Sequence, residues 1–347
     1  MALFEIENIS LDGIAACVPS QIAHNSVYPY QSELERNQFI QTTGIEQRRV
    51  VDEETTASDL CFRACQDLLN QLQWDVIDVQ VLVFVSQTPD YKIPCTATIL
   101  QDRLGLSNSC LAFDVNLGCS GYVYGLSIAA SLLSQVGGKG LLLVGDTSST
   151  CVNPKDKASS PLFSDAGSAS ALSFNKHAKP LLFNLQSDGA GYKAIITPDG
   201  ASRNPFSESS LQFDEEKGRT RMDMILNGIE VFNFSRREVA PNVADLFNHF
   251  NIDTNQVESF IFHQANKLMN DMIAKKLNLD ATKVPQSLKL LGNTGAASIP
   301  ITIVDQARTD LNKQDKLALL SGFGVGLSWG SCVVSMKNCK ILSLIEY

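Results

Sequence analysis

The chain has 347 residues, too many for one ordinary hydrophobic core, so two domains or two fused halves are expected. With 44% hydrophobic and 19% charged residues it has the composition of a packed globular protein, not a disordered one. A net charge of -9 speaks against a basic nucleic-acid-binding face. No apolar run reaches the roughly 20 residues that span a bilayer, so no membrane insertion is expected.

The opening MALFEIENISLDG lacks the basic start and apolar stretch of a secretion signal, and a cytoplasmic location is expected. Nine cysteines and four histidines include no CxxC pair, so neither a metal site nor a disulfide framework is expected. The basic pairs Arg48-Arg49, Arg236-Arg237 and Lys275-Lys276 read as solvated surface, though any of them could meet an acidic partner.

In chain order, DLCFRACQDLLNQL (59–72) reads as a helix that buries Cys61 and Cys65 as small apolar residues. VQVLVFVSQ (79–87) reads as a strand buried on both faces. A strand-like stretch from Leu111 to Leu117 turns through Gly118-Cys119-Ser120-Gly121 into a helix, SGYVYGLSIAASLLSQ. Gly121, Gly125 and Ala129 give that helix a small-residue face, suited to close approach of another helix. GKGLLLVGD (138–146) and VESFIFHQ (257–264) are further strands, and NKLMNDMIAKKLNL (266–279) a helix. PITIVDQARTDLN (300–312) is a helix and DKLALLSGFG (315–324) a strand, followed by a glycine hairpin and a last strand to 334. The alternation predicts an α/β fold with mostly parallel central strands. Ser86, Cys119 and Leu141 have counterparts at His263, Ala297 and Leu317, all offset by about 176 to 178 residues. Two duplicated halves, 1–176 and 177–347, are therefore expected.

Three segments carry chemistry. The strand–turn–helix around Cys119 is an elbow that exposes a nucleophile at a helix N-terminus, where N–H groups and the dipole favour a thiolate. His263 ends a buried strand, at the edge where α/β folds place their sites. Asn293 lies in the turn Gly292-Asn293-Thr294-Gly295, where a neutral amide beside a histidine can hold negative charge without titrating. Each residue taken singly has a plainer reading, as buried thiol, satisfied histidine and turn asparagine. The glycines at 322–330 permit close backbone approach but fit neither a dinucleotide fingerprint nor a P-loop.

Together these segments resemble the β-ketoacyl-acyl-carrier-protein synthase III family. The matching stretches are DVNLGCSGYVYGL, FHQAN, LGNTGAASIP and FGVGLSWGS, supported by TGIEQRRV, SQTPDYKIP, FSDAGSASAL, SDG and NGIEVFNF. The resemblance covers nearly the whole chain in order. It implies the thiolase-like five-layered αβαβα sandwich with two pseudo-duplicated halves, usually a homodimer whose buried site is reached by a pantetheine tunnel. It also implies that Cys119 takes an acyl group from an acyl-CoA or acyl-carrier-protein thioester, with no metal or redox cofactor. Decarboxylative condensation with a malonyl thioester would follow, with His263 and Asn293 holding the enolate. The Cys119 and Val325 N–H groups would form the oxyanion hole.

Several positions depart from the family pattern. Gln38 replaces the tryptophan that stacks on adenine, and Lys157 replaces its arginine partner, which removes the expected CoA grip. Gln38, Arg48 and Lys157 are nonetheless the candidates for the acyl-donor tunnel. Lys267, Lys275 and Lys276 are the candidates for docking an acidic carrier, although Leu268 stands where arginine is common. Ile93 replaces a phenylalanine that reaches across the dimer, which alters the acyl pocket. A specialised condensing enzyme is therefore expected. The alternatives are a related acyltransferase acting on O or N nucleophiles and an inactive carrier-binding subunit.

Overall fold

A computed structural model describes residues 2–311 and 316–347. Strands of its two main sheets are β1 (Ala2–Ile6), β2 (Ile9–Val18), β3 (Val79–Val85), β4 (Leu111–Val115), β5 (Lys139–Thr147), β6 (Asp165–Phe174), β7 (Leu181–Ser187), β8 (Val257–Phe262), β9 (Leu317–Gly324), β10 (Ser328–Ser335), β11 (Lys340–Ile341) and β12 (Ile345–Glu346). Helices are α1 (Glu33–Thr43), α2 (Ala57–Leu72), α3 (Thr96–Arg103), α4 (Gly121–Val136), α5 (Gly228–Phe250), α6 (Lys267–Lys276), α7 (Leu288–Leu291), α8 (Ser298–Thr302) and α9 (Arg308–Leu311).

One sheet has the order β11-β2-β6-β5-β3-β4, with β12 also on β2; the other has the order β1-β7-β10-β9-β8. Terminal strands cross between them, β1 joining the sheet of the second half and β11 and β12 that of the first. Parallel pairing joins β3 to β4 and β5, and β8 to β9. The partners β2–β6, β5–β6, β9–β10 and β10–β7 are antiparallel, so the sheets are mixed, not mostly parallel. The reason is local. β5 returns to β6 through loop and 3-10 turns, and β9 returns to β10 through the glycine hairpin, so neither has the helical crossover that parallel strands need.

Helix burial follows layer position. α2 buries Ala57, Leu60, Cys61, Ala64, Cys65 and Leu68, one face at three- and four-residue spacing, against the outside of the first sheet. α4 is apolar nearly all round, because it is enclosed between strands β3 and β5 of one sheet and β9 and β10 of the other. α8 shares that central layer, touching β2 and β6 on one side and β8 and β9 on the other. α5 covers the outer face of the second sheet with α6 against it. Helix, sheet, helix, sheet, helix is the five-layered sandwich expected from the resemblance.

Two further expectations need correction. The small-residue face of α4 meets strands rather than a helix: a methyl group at Gly125 would lie 2.7 Å from Val85 and 2.8 Å from Leu142. The helix expected over 300–312 starts at Ser298 and is interrupted by a π-turn at Ile303–Ala307. Asn312 and Asp315, at the adjoining ends of that helix and the following strand, lie outside the described residues. Among the described residues no helix is long and apolar enough to cross a membrane, and no cluster of potential metal ligands occurs.

Candidate active site

Cys119 lies in the turn between β4 and α4, where the Gly121 N–H donates to the Gly118 carbonyl at 2.6 Å. The turn is clamped by the glycine hairpin. Ser120 Oγ and Ser328 Oγ are 2.6 Å apart, and Ser328 Oγ donates to the Val325 carbonyl at 2.8 Å. Glycine is required where the hairpin touches the nucleophile. A β-carbon at Gly324 would stand 2.6 Å from both the Cys119 β-carbon and its sulfur, and one at Gly322 would stand 2.9 Å from the Cys119 carbonyl oxygen. Gly324→Ala should therefore slow acylation of Cys119 at least about 100-fold by displacing the thiol. It should also cost about 1–3 kcal/mol from overpacking. Acylation followed by intact mass, with a thermal melt alongside, checks both effects.

The helix-terminus argument for a thiolate is overturned by burial. Desolvation pushes the Cys119 thiol up to about 11, against smaller opposing effects from the Val325 N–H and its own N–H. Those two backbone donors are the ones the oxyanion-hole reading names.

His263 follows β8 directly, its N–H donating to the Ser321 carbonyl at 2.8 Å. Its ring is buried, with the edge of Phe323 packed against it at 5.6 Å between centroids. Nδ1 lies 2.7 Å from Ser298 Oγ, a hydroxyl that can donate or accept and so suits either tautomer. Burial lowers the imidazole to about 3. Thiol and imidazole are both neutral around pH 7.

Asn293 is held by the first half of the chain. Its N–H donates to the Leu162 carbonyl at 3.1 Å, and its carbonyl accepts from the Ser164 N–H at 2.9 Å. Oδ1 accepts from the Gly295 N–H at 3.0 Å, which fixes the amide and leaves Nδ2 as the donor for a ligand. Cys119, His263 and Asn293 line one cavity of about 270 Å³, walled by Phe39, Leu162, Phe163, Ile195, Leu226, Val231, Phe232 and Met269. Such a channel suits a flexible, mostly uncharged arm with a thioester at its end.

The remaining predicted residues are placed unevenly. Gln38 is exposed on α1 beside the lining residue Phe39, and Lys157 precedes the lining residue Ala158. Lys157 Nζ is paired with Glu35 at 3.2 Å. Arg48 does not line the cavity: it is buried and donates to Asn25 Oδ1 and the Phe163 carbonyl. Arg49 is paired with Glu346 at 2.7 Å, so the solvated reading of this pair fails. Lys267 is paired with Asp271 at the start of α6, next to half-exposed Leu268 at the cavity rim. Lys275 and Lys276 are exposed on its last turn, Lys276 donating to the Arg236 carbonyl at 3.0 Å. Ser298 was not singled out from the sequence. Its only sequence signal is a lone hydroxyl before the apolar run of α8.

Comparison with known proteins gives concordant results. Residues 113–189 match the family described as 3-oxoacyl-[acyl-carrier-protein] synthase III, and residues 247–336 match its C-terminal counterpart. A putative 3-oxoacyl-[acyl-carrier-protein] synthase 3 from Campylobacter jejuni is 34% identical over 88% of this chain and 86% of its own. A β-ketoacyl-[acyl-carrier-protein] synthase III from Natranaerobius thermophilus is 30% identical over 95% and 99%. The crystal structure of a 3-oxoacyl-(acyl-carrier protein) synthase from Burkholderia xenovorans superposes with a TM-score of 0.94 at 34% identity, covering 100% of this chain and 99% of that one. On this evidence the chain belongs to the β-ketoacyl-acyl-carrier-protein synthase III family of the thiolase superfamily.

Proposed function

We propose that the protein is a condensing acyltransferase. It loads an acyl group onto Cys119 and joins it to a malonyl thioester, giving a β-ketoacyl thioester and carbon dioxide. The observation that carries this reading is the convergence of thiol, imidazole and amide on one apolar channel. With thiol and imidazole both neutral, the sulfur proton passes to His263 as sulfur attacks the thioester carbonyl. The oxyanion is held by the Cys119 and Val325 N–H groups. His263 returns the proton to the leaving thiolate. In the second half-reaction, loss of carbon dioxide from the malonyl group gives an enolate whose oxygen takes hydrogen bonds from His263 Nε2 and Asn293 Nδ2. The enolate carbon attacks the acyl-Cys119 carbonyl, and collapse of the tetrahedral intermediate expels Cys119 as a thiolate, which takes a proton from solvent to restore the neutral thiol. No cofactor takes part in these steps.

An acyl carrier protein is the preferred donor and the carrier of the malonyl group. Gln38 offers no aromatic face, Arg48 is turned inward, and Lys157 already neutralises Glu35, so the rim is poor in groups to hold CoA phosphates. Lys275, Lys276 and the exposed Arg236-Arg237 pair of α5 form the basic face for an acidic carrier, with Lys267 nearer the rim. Exchanging Lys275 and Lys276 for Glu should lower kcat/KM for carrier-bound substrates about tenfold at low ionic strength and flatten the salt dependence. A small soluble thioester should react at an unchanged rate. Steady-state rates at two salt concentrations check this.

We infer a homodimer in which a second copy covers the free edge of β4 and half-exposed Leu111. Ile93, 88% exposed, is taken to meet that copy. Residues 1–176 and 177–347 are taken as the two related halves. No observation at the site favours transfer to O or N nucleophiles, or an inert subunit. Product analysis with acyl-carrier protein, acyl-CoA and malonyl-carrier protein tests the reading: a β-ketoacyl product formed faster from the carrier-bound donor supports it, and an ester or amide refutes it.

A further inference from the structure

Between the elbow and the asparagine turn lies a carboxylate that the steps above do not use. Asp146, near the end of β5, is 2% exposed. Its hydrogen-bond partners are uncharged. Oδ1 accepts from the Gln87 N–H at 2.7 Å and the Ser86 hydroxyl at 3.2 Å, and Oδ2 accepts from the Ala296 N–H at 2.8 Å. The two backbone donors belong to opposite sides of the site. Gln87 follows β3, and its side-chain oxygen covers Gly118, where a methyl group would come within 2.2 Å of it. Ala296 belongs to the turn that carries Asn293, and Gly295 (φ +57°) sits directly on the carboxylate, with room for no β-carbon.

We propose that Asp146 is a positioning residue: by holding one backbone N–H from each side, it fixes the Cys119 elbow against the Asn293 turn. The proposal rests on the condensation reading. Three donors converge on the group, and only a carboxylate accepts all three without presenting a hydrogen of its own. An amide would set N–H₂ against one of the backbone N–H groups. The charge is kept inside at a cost, since burial raises the carboxyl to about 6. The titratable groups around it are Cys119, Asp165 on β6, Cys61 on α2 and Cys151. Burial holds Asp165 up as well, and the three thiols lie far above neutrality or are raised. Below pH 6 the proton on Asp146 displaces a donor, so activity should fall with pH. Asp146 itself then favours the folded state more, because its folded pKa lies above the unfolded one.

The test uses Asp146→Asn in the full chain. Two quantities are read from pH 5 to 8: alkylation of Cys119 by iodoacetamide, and decarboxylation of malonyl-carrier protein by the acylated enzyme. Removing the charge should speed alkylation at every pH in this range, because Asp146 raises the Cys119 pKa. Decarboxylation should meanwhile fall at least about tenfold from misplacement of the turn. Wild-type decarboxylation should decline as pH falls through 6, and the variant should lack that limb. An unchanged decarboxylation rate overturns the proposal, and so does a parallel loss of both readouts with a lowered melting temperature. If the variant does not fold, the wild-type profile decides: a decline through pH 6 upholds the proposal and a flat profile overturns it. A wild-type enzyme that decarboxylates no malonyl thioester defeats the condensation reading instead, and the alkylation rate then decides for Asp146.

Discussion

Cys119→Ala will accept no acyl group and form no condensation product, a loss of at least about 10⁴-fold against the wild type. The expectation follows from the single-nucleophile chemistry. Among the described residues lining the channel, Cys119 alone carries a thiol. The fold should survive, because the turn is held by Ser120, Ser328 and the Gly118 carbonyl, none of which needs the sulfur. A melting temperature near wild type, with no mass gain on exposure to acyl thioesters, is the expected pair of results. A variant that still takes up acyl groups would place the nucleophile elsewhere.

Asn293→Ala should separate the two half-reactions. Its amide is fixed by the Gly295 N–H and presents only a donor, which suits an enolate oxygen and has no part in proton transfer from sulfur. Acylation of Cys119 should stay within about threefold of wild type, while decarboxylation of the malonyl thioester falls roughly 10²- to 10³-fold. Single-turnover mass measurements of acyl loading, with carbon dioxide release measured separately, check the split. Equal loss in both steps would show that Asn293 acts on the position of the elbow rather than on the enolate. Because the Asn293 backbone is paired with Leu162 and Ser164, truncation of the side chain leaves those links in place.

The three central residues were legible because each stands in a local pattern: glycines around Cys119, a buried strand ending at His263, and a tight turn around Asn293. Their convergence was legible only through the ordered resemblance, since nothing local says that residues 119, 263 and 293 meet. The state of the thiol was misread for a related reason. A helix N-terminus is a local feature, whereas desolvation depends on everything packed around Cys119, and here desolvation dominates. Arg48 likewise read as half of a surface pair, yet folding carries it to Asn25 and the Phe163 carbonyl, far away in sequence. Strand direction was misjudged because loops and hairpins replace helical crossovers after β5 and β9. Ser298 carries only a lone hydroxyl before an apolar run, and Asp146 no sequence signature at all. Their significance lies in what they touch.

The central claim is that Cys119 carries the acyl group on its way to a carbon nucleophile. Intact-protein mass, taken first with acyl-carrier protein or acyl-CoA and then after adding malonyl-carrier protein, tests it most directly. The account predicts a gain of one acyl group that is absent in Cys119→Ala, then its disappearance with release of carbon dioxide and appearance of a β-ketoacyl carrier. A broad panel of donors that leaves Cys119 unlabelled, or a label that malonyl-carrier protein does not discharge, would contradict it.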